Sequence, residues 1–304
     1  MRLLAAVVCS MTAVASTLAI EPPKDSLALK VSLVKESYTE GEPISIRVDV
    51  SNQAAQEVRL LLDYPTLGGA PNADQPKGLA FHSKQLAGRM RETARPMVLD
   101  YEVALVPVLP NGSCSVTVAL QRFLEPPKAG TYEIGYTLQM GYSIGKPSGA
   151  PRLADTHGNL TVTVLPRDEE KLRRVLQQAL SDVRRGDSWQ RLAAVDALST
   201  TPDPAVIPFL EELYTAGEEP AAVEALGRFP EAATRPAVVR GLNSRKAETV
   251  AAALKALVGW KHELDRHQVE NLLGSDDPEI RRATIEYIQS IGRIDYLKLI
   301  SPRR

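Results

Sequence analysis

Between Ser26 and Val164 nonpolar side chains recur at every second position, the period that places them on one face of a β-strand. Leu27, Leu29, Val31 and Leu33 alternate with polar or small residues, and Ile44, Ile46, Val48 and Val50 enclose Ser45, Arg47 and Asp49. Val58, Leu60 and Leu62 predict a third strand. Leu99, Tyr101, Val103 and Leu105 predict another, which Pro107 should end because it has no N–H to give a ladder. Cys114, Val116, Val118 and Leu120 share a face, as do Tyr132, Ile134, Tyr136, Leu138 and Met140, and finally Leu160, Val162 and Val164. Seven strands are therefore expected, with a short additional one around Leu79–His82. The turn strings Glu40-Gly41-Glu42-Pro43, Pro110-Asn111-Gly112 and Lys128-Ala129-Gly130 separate them, and strands so punctuated argue two packed sheets. Tyr64–Arg95, rich in Gly, Pro and Asn, is long for a loop, as functional and disordered loops both are.

After Leu165-Pro166-Arg167 the period changes. Leu172, Val175, Leu176, Ala179 and Val183 follow the spacing of an amphipathic helix opened by Asp168-Glu169-Glu170 and closed near Gly186, so a domain boundary is expected there. Beyond it a self-similar string returns: Ala194-Val195-Asp196-Ala197-Leu198, Ala222-Val223-Glu224-Ala225-Leu226, Ala253-Leu254-Lys255-Ala256-Leu257 and Thr284-Ile285-Glu286-Tyr287-Ile288. Its last residues are 28, 31 and 31 positions apart. Between them run second helices ending at Leu213, Leu242 and Leu273, 29 and 31 apart. Two interleaved ladders of one period predict stacked helix pairs. Asp203-Pro204 and Asp277-Pro278 each join a capping carboxylate to a proline suited to a first helical turn.

Some of these strings carry a family resemblance. Leu29-x-Val31 through Tyr38-x-x-Gly41-Glu42-Pro43-Ile44-x-Ile46, with Gly130-Thr131-Tyr132-x-Ile134, resembles strands of bacterial immunoglobulin-like domains. Ser275 to Gly292, with Asp276-Asp277-Pro278-Glu279-Ile280-Arg281-Arg282-Ala283, resembles short HEAT repeats of the phycobilisome-lyase-like type, a likeness extending over about Ser188 to Ile300. The resemblances imply a multidomain chain: an N-terminal all-β immunoglobulin-like sandwich over residues 22–165 and a C-terminal all-α HEAT-type solenoid over 168–304. They imply protein–protein contact rather than lyase chemistry, because no cofactor-handling residues are recognisable.

The first residues add a third part. Met1-Arg2 precedes an apolar run from Leu3 to Val8 that continues weakly to Ala15, with small-residue cleavage sites at Ala13-Val14-Ala15 and Thr17-Leu18-Ala19. A cleaved signal peptide over residues 1–19 is expected, and with it a secreted or periplasmic location. Cys9, Ser10, Thr12, Ser16 and Thr17 interrupt the run too often for the ~20 apolar residues a membrane span needs. Cleavage leaves Cys114 as the one cysteine, so no intrachain disulfide can form. The 304 residues carry a formal charge of −1, which supplies no field to hold nucleic acid.

Several strings invite a chemical reading. Gly141-Tyr142-Ser143-Ile144-Gly145 fits the nucleophile string of a serine hydrolase, with Asp155 and His157 downstream. A nucleophile elbow needs a helix after the serine, and Lys146-Pro147-Ser148-Gly149-Ala150-Pro151 cannot form one. His82, His157, His262 and His267 form no metal pair, since His262 and His267 stand five apart where one helical face wants three or four. Cys114, in register with Val116 and Val118, reads as a buried thiol. Asn111-Gly112-Ser113 and Asn159-Leu160-Thr161 match the glycosylation sequon. Arg281-Arg282 sits among acids and reads as a solvated helix face. Trp189 and Trp260 flank repeat helices, where an indole either covers the stack or anchors a partner, packing being favoured.

No catalytic, cofactor-binding or metal residues are assigned. The expected function is that of a non-enzymatic, exported protein-binding or scaffold protein whose partner is another protein. Its contacts are placed on the second helices of the repeats at Glu211, Arg240 and Asn271, each two before the last leucine, together with Trp260. Two alternatives accompany it: a peptidase-inhibitor-like module using the loop 64–95, and a hydrolase using Ser143.

Overall fold

A computed structural model describes residues 27–62, 78–88, 104–144, 152–293 and 295–296. The expected leader, most of the loop 64–95, the residues Leu99–Val103 and the segment after Ile144 lie outside the described residues. The chain divides into two compact units. The first reaches Leu172 and takes in Asp187–Ala193; the second holds Arg173–Gly186 and continues from Ala194.

The first unit is β. Its strands among the described residues are β1 (Leu27–Leu33), β2 (Ser37–Thr39), β3 (Ser45–Asn52), β4 (Val58–Leu62), β5 (Gly78–His82), β6 (Ala104–Val108), β7 (Ser113–Ala119), β8 (Gly130–Ile144) and β9 (Arg152–Leu165). One sheet has three strands in the order β1-β3-β7; the other has six, β2-β9-β8-β4-β6 with β5 also on β8. Alternating positions read from sequence face one core: Val31, Ile46, Val48, Val50, Val116 and Val118 from the small sheet cluster with Leu60, Ile134, Leu138, Met140 and Val162 from the large one, whereas β6 contributes Val106 and Val108, positions that the expected Leu99–Leu105 alternation did not include. Trp189, in the returning stretch, also packs on this cluster, while Cys114 is only half-buried beside it.

The seven-strand immunoglobulin-like sandwich does not describe this region. Among the described residues nine strands divide three and six, and β2 runs parallel to β9, pairing Ser37 with Thr163 and Thr39 with Leu165. Ser-Tyr-Thr is too short to alternate, so β2 gives no periodic signal. The strand β9 starts at Arg152, well ahead of Leu160, and from Leu153 to Asn159 its residues are exposed or half-exposed. Without a buried face that stretch has no hydrophobic period, and its ladder to β8 alone makes it a strand. Pro107 also lies inside β6 rather than ending it, opposite Arg59. At the end of the strand order its missing N–H leaves no pairing unmet.

Buried polar groups fasten the turns. Gly41 takes φ 90°, and the wholly buried Glu42 side chain accepts from Thr39 N at 2.9 Å and pairs with Lys35. Gln121 receives Ile44 N at 2.9 Å and donates to Glu42 O at 2.8 Å. Tyr38 hydroxyl donates to Ser45 O at 2.8 Å and accepts from Lys35 N at 3.2 Å. Asn52 Nδ2 donates to Val108 O at 2.9 Å and to Gln56 O at 2.8 Å, tying the β3 end to β6.

The second region is helical: α1 (Glu169–Arg185), α2 (Ser188–Thr200), α3 (Ile207–Thr215), α4 (Glu219–Leu226), α5 (Glu231–Gly241), α6 (Ala247–Gly259), α7 (Arg266–Leu273) and α8 (Pro278–Ser290). Their starts follow the sequence. Asp168 caps α1 through Lys171 N at 2.9 Å, Asp277 caps α8 through Glu279 N at 2.8 Å, and Asp265 with Gln268 forms a reciprocal capping box on α7. The self-similar strings fall in α2, α4, α6 and α8. Within the second unit α4 packs on α6 and α6 on α8, while α3 packs on α4, α5 on both α4 and α6, and α7 on α8. Gly227, at the end of α4, lies close against α6: a Cβ there would stand 2.6 Å from that of Ala256.

The HEAT-type solenoid expected for 168–304 is corrected to a coarser description, a helical region with eight α-helices among the described residues. Its helix pairs are not copies of one unit: α4 and α7 have eight residues against 13 in α2, α6 and α8. A 3-10 turn over Pro204–Val206 stands where Asp203-Pro204 announces an α-helix, and Pro236 lies within α5. A β region followed by a helical region is the arrangement that holds. No described helix is long and apolar enough to cross a membrane.

Candidate partner-binding surface

The even helices of the second unit are turned inward. In α4, Pro220, Ala221, Ala222, Val223, Ala225 and Leu226 are all buried, and α6 buries Val250, Ala253, Leu254, Ala256 and Leu257. Of the helices between, α3 buries only Leu210 and Leu213 and α7 only Val269 and Leu272, while α5 buries Thr234, Ala237, Val238 and Gly241. Glu211 is exposed on α3, Arg240 on α5 and Asn271 on α7, the equivalent positions chosen from sequence.

These side chains have different freedom. Arg240 lies over the Tyr214 ring, its guanidinium carbon 5.7 Å from the centroid, so α5 reaches back onto α3. Burial raises the Tyr214 hydroxyl above its ordinary value and Glu219 adds to this, while the Arg240 charge opposes it. Asn271 Nδ2 stands 3.1 Å from His267 Nδ1, one turn away on α7. Trp260 belongs elsewhere. It caps α6 in the connection to α7, half-buried, and its indole N–H donates to Phe229 O at 3.1 Å. Arg240 and Asn271 lie near the opposite ends of their helices, those leading into α6 and α8, so the structure does not bring Trp260 to them.

The Trp260 link is one of a series that sequence reasoning missed. Arg184 pairs with Glu212 at 2.6 Å, Lys246 Nζ donates to Gly217 O at 2.7 Å and stands 3.5 Å from Glu219, and His262 Nδ1 lies 2.9 Å from Glu231. Glu263 receives Arg293 and, at 3.3 Å, the Tyr296 hydroxyl. Tyr287 hydroxyl accepts from Leu264 N at 2.8 Å and donates to His262 O at 2.9 Å. Most of these partners stand about one repeat apart in the chain, and that spacing between opposite charges was the available signal.

The Ser143 constellation does not assemble. Ser143 lies in β8 opposite Arg59, 8 % exposed, with no hydrogen-bond partner for its Oγ. Asp155 pairs with Gln139 and His157 with Thr137. Those positions are four and six residues back along β8, roughly 13 and 20 Å at ~3.3 Å per residue, far beyond proton-transfer reach. His82 instead covers Gly135, where a Cβ would meet its Nε2 at 2.1 Å. Among the described residues no three His, Cys, Asp or Glu side chains are grouped to hold a metal ion.

No protein-family model matches the chain, and no curated protein sequence matches it. The functional reading therefore stands on the chain's own residues.

Proposed function

We propose that the chain is an exported, non-catalytic protein-binding or scaffold protein that engages another protein through the exposed faces of α3, α5 and α7. The observation that carries this reading is the division of labour in the helical unit. The repeated strings of α4, α6 and α8 bury their apolar sides, α4 on α6 and α6 on α8, while Glu211, Arg240 and Asn271 remain exposed on the helix that precedes each of them. The separation of Ser143 from Asp155 and His157 supports a role without catalysis. Export rests on the apolar run and small-residue sites of the first 19 residues.

Affinity capture on the full chain from the native extracellular or envelope fraction, read by mass spectrometry, supplies the partner. Its affinity is then measured for the parent chain and for Glu211→Lys with Arg240→Glu. The expected outcome is a weakening of about tenfold or more, the equivalent of ~1.4 kcal/mol. Unchanged affinity removes this face from the reading.

A further inference from the structure

We infer that Asn111 is an N-glycan acceptor, an inference that rests on the proposed export and concerns a site apart from the helical surface. Two strings in the chain satisfy the acceptor rule, Asn111-Gly112-Ser113 and Asn159-Leu160-Thr161, and the fold treats them differently. Asn111 is exposed in the turn from β6 to β7, with φ 58°. The backbone around it is fixed: Gly112 N donates to Leu109 O at 2.8 Å and Asn52 N donates to Gly112 O at 2.9 Å. Asn52 Nδ2 adds a bond to Leu109 O at 3.1 Å. Ser113, which must offer its hydroxyl two residues on, is also exposed.

Asn159 sits within β9 opposite Gly135, and the next residue, Leu160, belongs to the core. The hydroxyl of Thr161 is already committed to Glu133 Oε1 at 2.9 Å. A transferase could engage Asn159 in the folded protein only by opening the β8–β9 ladder, whereas Asn111 needs no such opening. A second feature favours the turn. Leu109, 43 % exposed, and exposed Pro110 make its tip apolar, and the first sugars on Asn111 would cover that tip. In the reaction the Asn111 amide nitrogen forms a bond to C1 of a lipid-pyrophosphate-linked oligosaccharide. The C1–oxygen bond breaks, the lipid pyrophosphate leaves with its electron pair, and one amide proton passes to base.

The test expresses the full chain with its own leader, and in parallel residues 22–304 behind a host secretory leader, in a eukaryotic secretory host. Intact mass and electrophoretic mobility are read before and after peptide-N-glycosidase digestion. The expected result is one sugar chain per protein, on Asn111, lost in Ser113→Ala and in Asn111→Gln and retained in Asn159→Gln. Ser113→Ala leaves the backbone at Asn111 unaltered, so its result does not depend on folding of the Asn111 variant. A secreted chain bare at Asn111 under either leader, or a mobility shift that survives Ser113→Ala, overturns the inference. Modification behind the host leader alone would keep the acceptor and reject export by the chain's own first residues.

Discussion

In the β unit the polar side chains that fix the core reach far along the chain. Asn52 to Val108 O spans 56 residues, Ile44 N to Gln121 spans 77, and Gln121 to Glu42 O spans 79. In the helical unit the corresponding links are short and even: 25 residues from Tyr287 to His262, 28 from Arg184 to Glu212, 31 from Trp260 to Phe229. Closing a long loop must be complete before its contacts give any return, so the β unit should form and fail as a whole. A helical unit held by such short-range links should lose stability locally. The difference teaches where function can sit. Changes at the exposed Glu211, Arg240 and Asn271 should cost the fold little, whereas changes at buried β-core positions should cost far more.

The sharpest challenge to this comparison is Ile134→Ala, which removes a wholly buried side chain of β8. A loss of about 3–4 kcal/mol is expected, with the β signal disappearing in one denaturant transition while the helical signal persists. Simultaneous loss of both signals would show the two units to be one cooperative block.

Next comes alkaline pH. Burial pushes the Tyr38 hydroxyl up to about 12 from an ordinary value of 10.0, with Glu42 adding to the rise and backbone bonds from Lys35 and its neighbours opposing it. The folded value lies above the unfolded one, so the stabilisation is complete below pH ~10 and is lost as pH rises toward 12, on the order of 2–3 kcal/mol. Equilibrium unfolding against pH should show this fall in the parent and not in Tyr38→Phe.

In the helical unit Gly227→Ala should cost about 2 kcal/mol, because the added methyl must force α4 away from Ala256. Amide exchange should quicken in α4 and α6 and stay unchanged in α1. Trp260→Phe removes only the donor to Phe229 O and is expected to cost ~1 kcal/mol, with its effect confined to the α4–α5 and α6–α7 connections. Smallest of all, Glu211→Lys should leave thermal stability within ~0.5 kcal/mol, as an exposed side chain away from caps and core does. A larger loss would mean that the residue serves the fold rather than a partner.

The sequence located the change from β to helix at Leu165-Pro166-Arg167 and placed the self-similar strings in α2, α4, α6 and α8. Both rest on local physics: a period of two or of about 3.6 is imposed by backbone geometry, and Asp168, Asp265 and Asp277 cap the first turns beside them. Glu211, Arg240 and Asn271 were chosen by their spacing from the last leucines, and all three are exposed. The family-level picture was not legible. Seven strands and a short eighth became nine among the described residues because β2 is too short to show a period, and β9 is longer than read because its outer half has no buried face. Cys114, in register with core valines, is nonetheless half-buried.

What only the tertiary structure decided are the pairings between residues that no local rule relates. The parallel register of β2 on β9, the placing of wholly buried Glu42 under Lys35 and Thr39, the reach of Gln121 to Ile44, and the seating of Arg240 on Tyr214 all depend on a second segment arriving in the right place. Local periodicity fixes what each segment can be. Which segment it meets is set by the packing of the whole, because a buried polar group is stable only where a distant partner satisfies it.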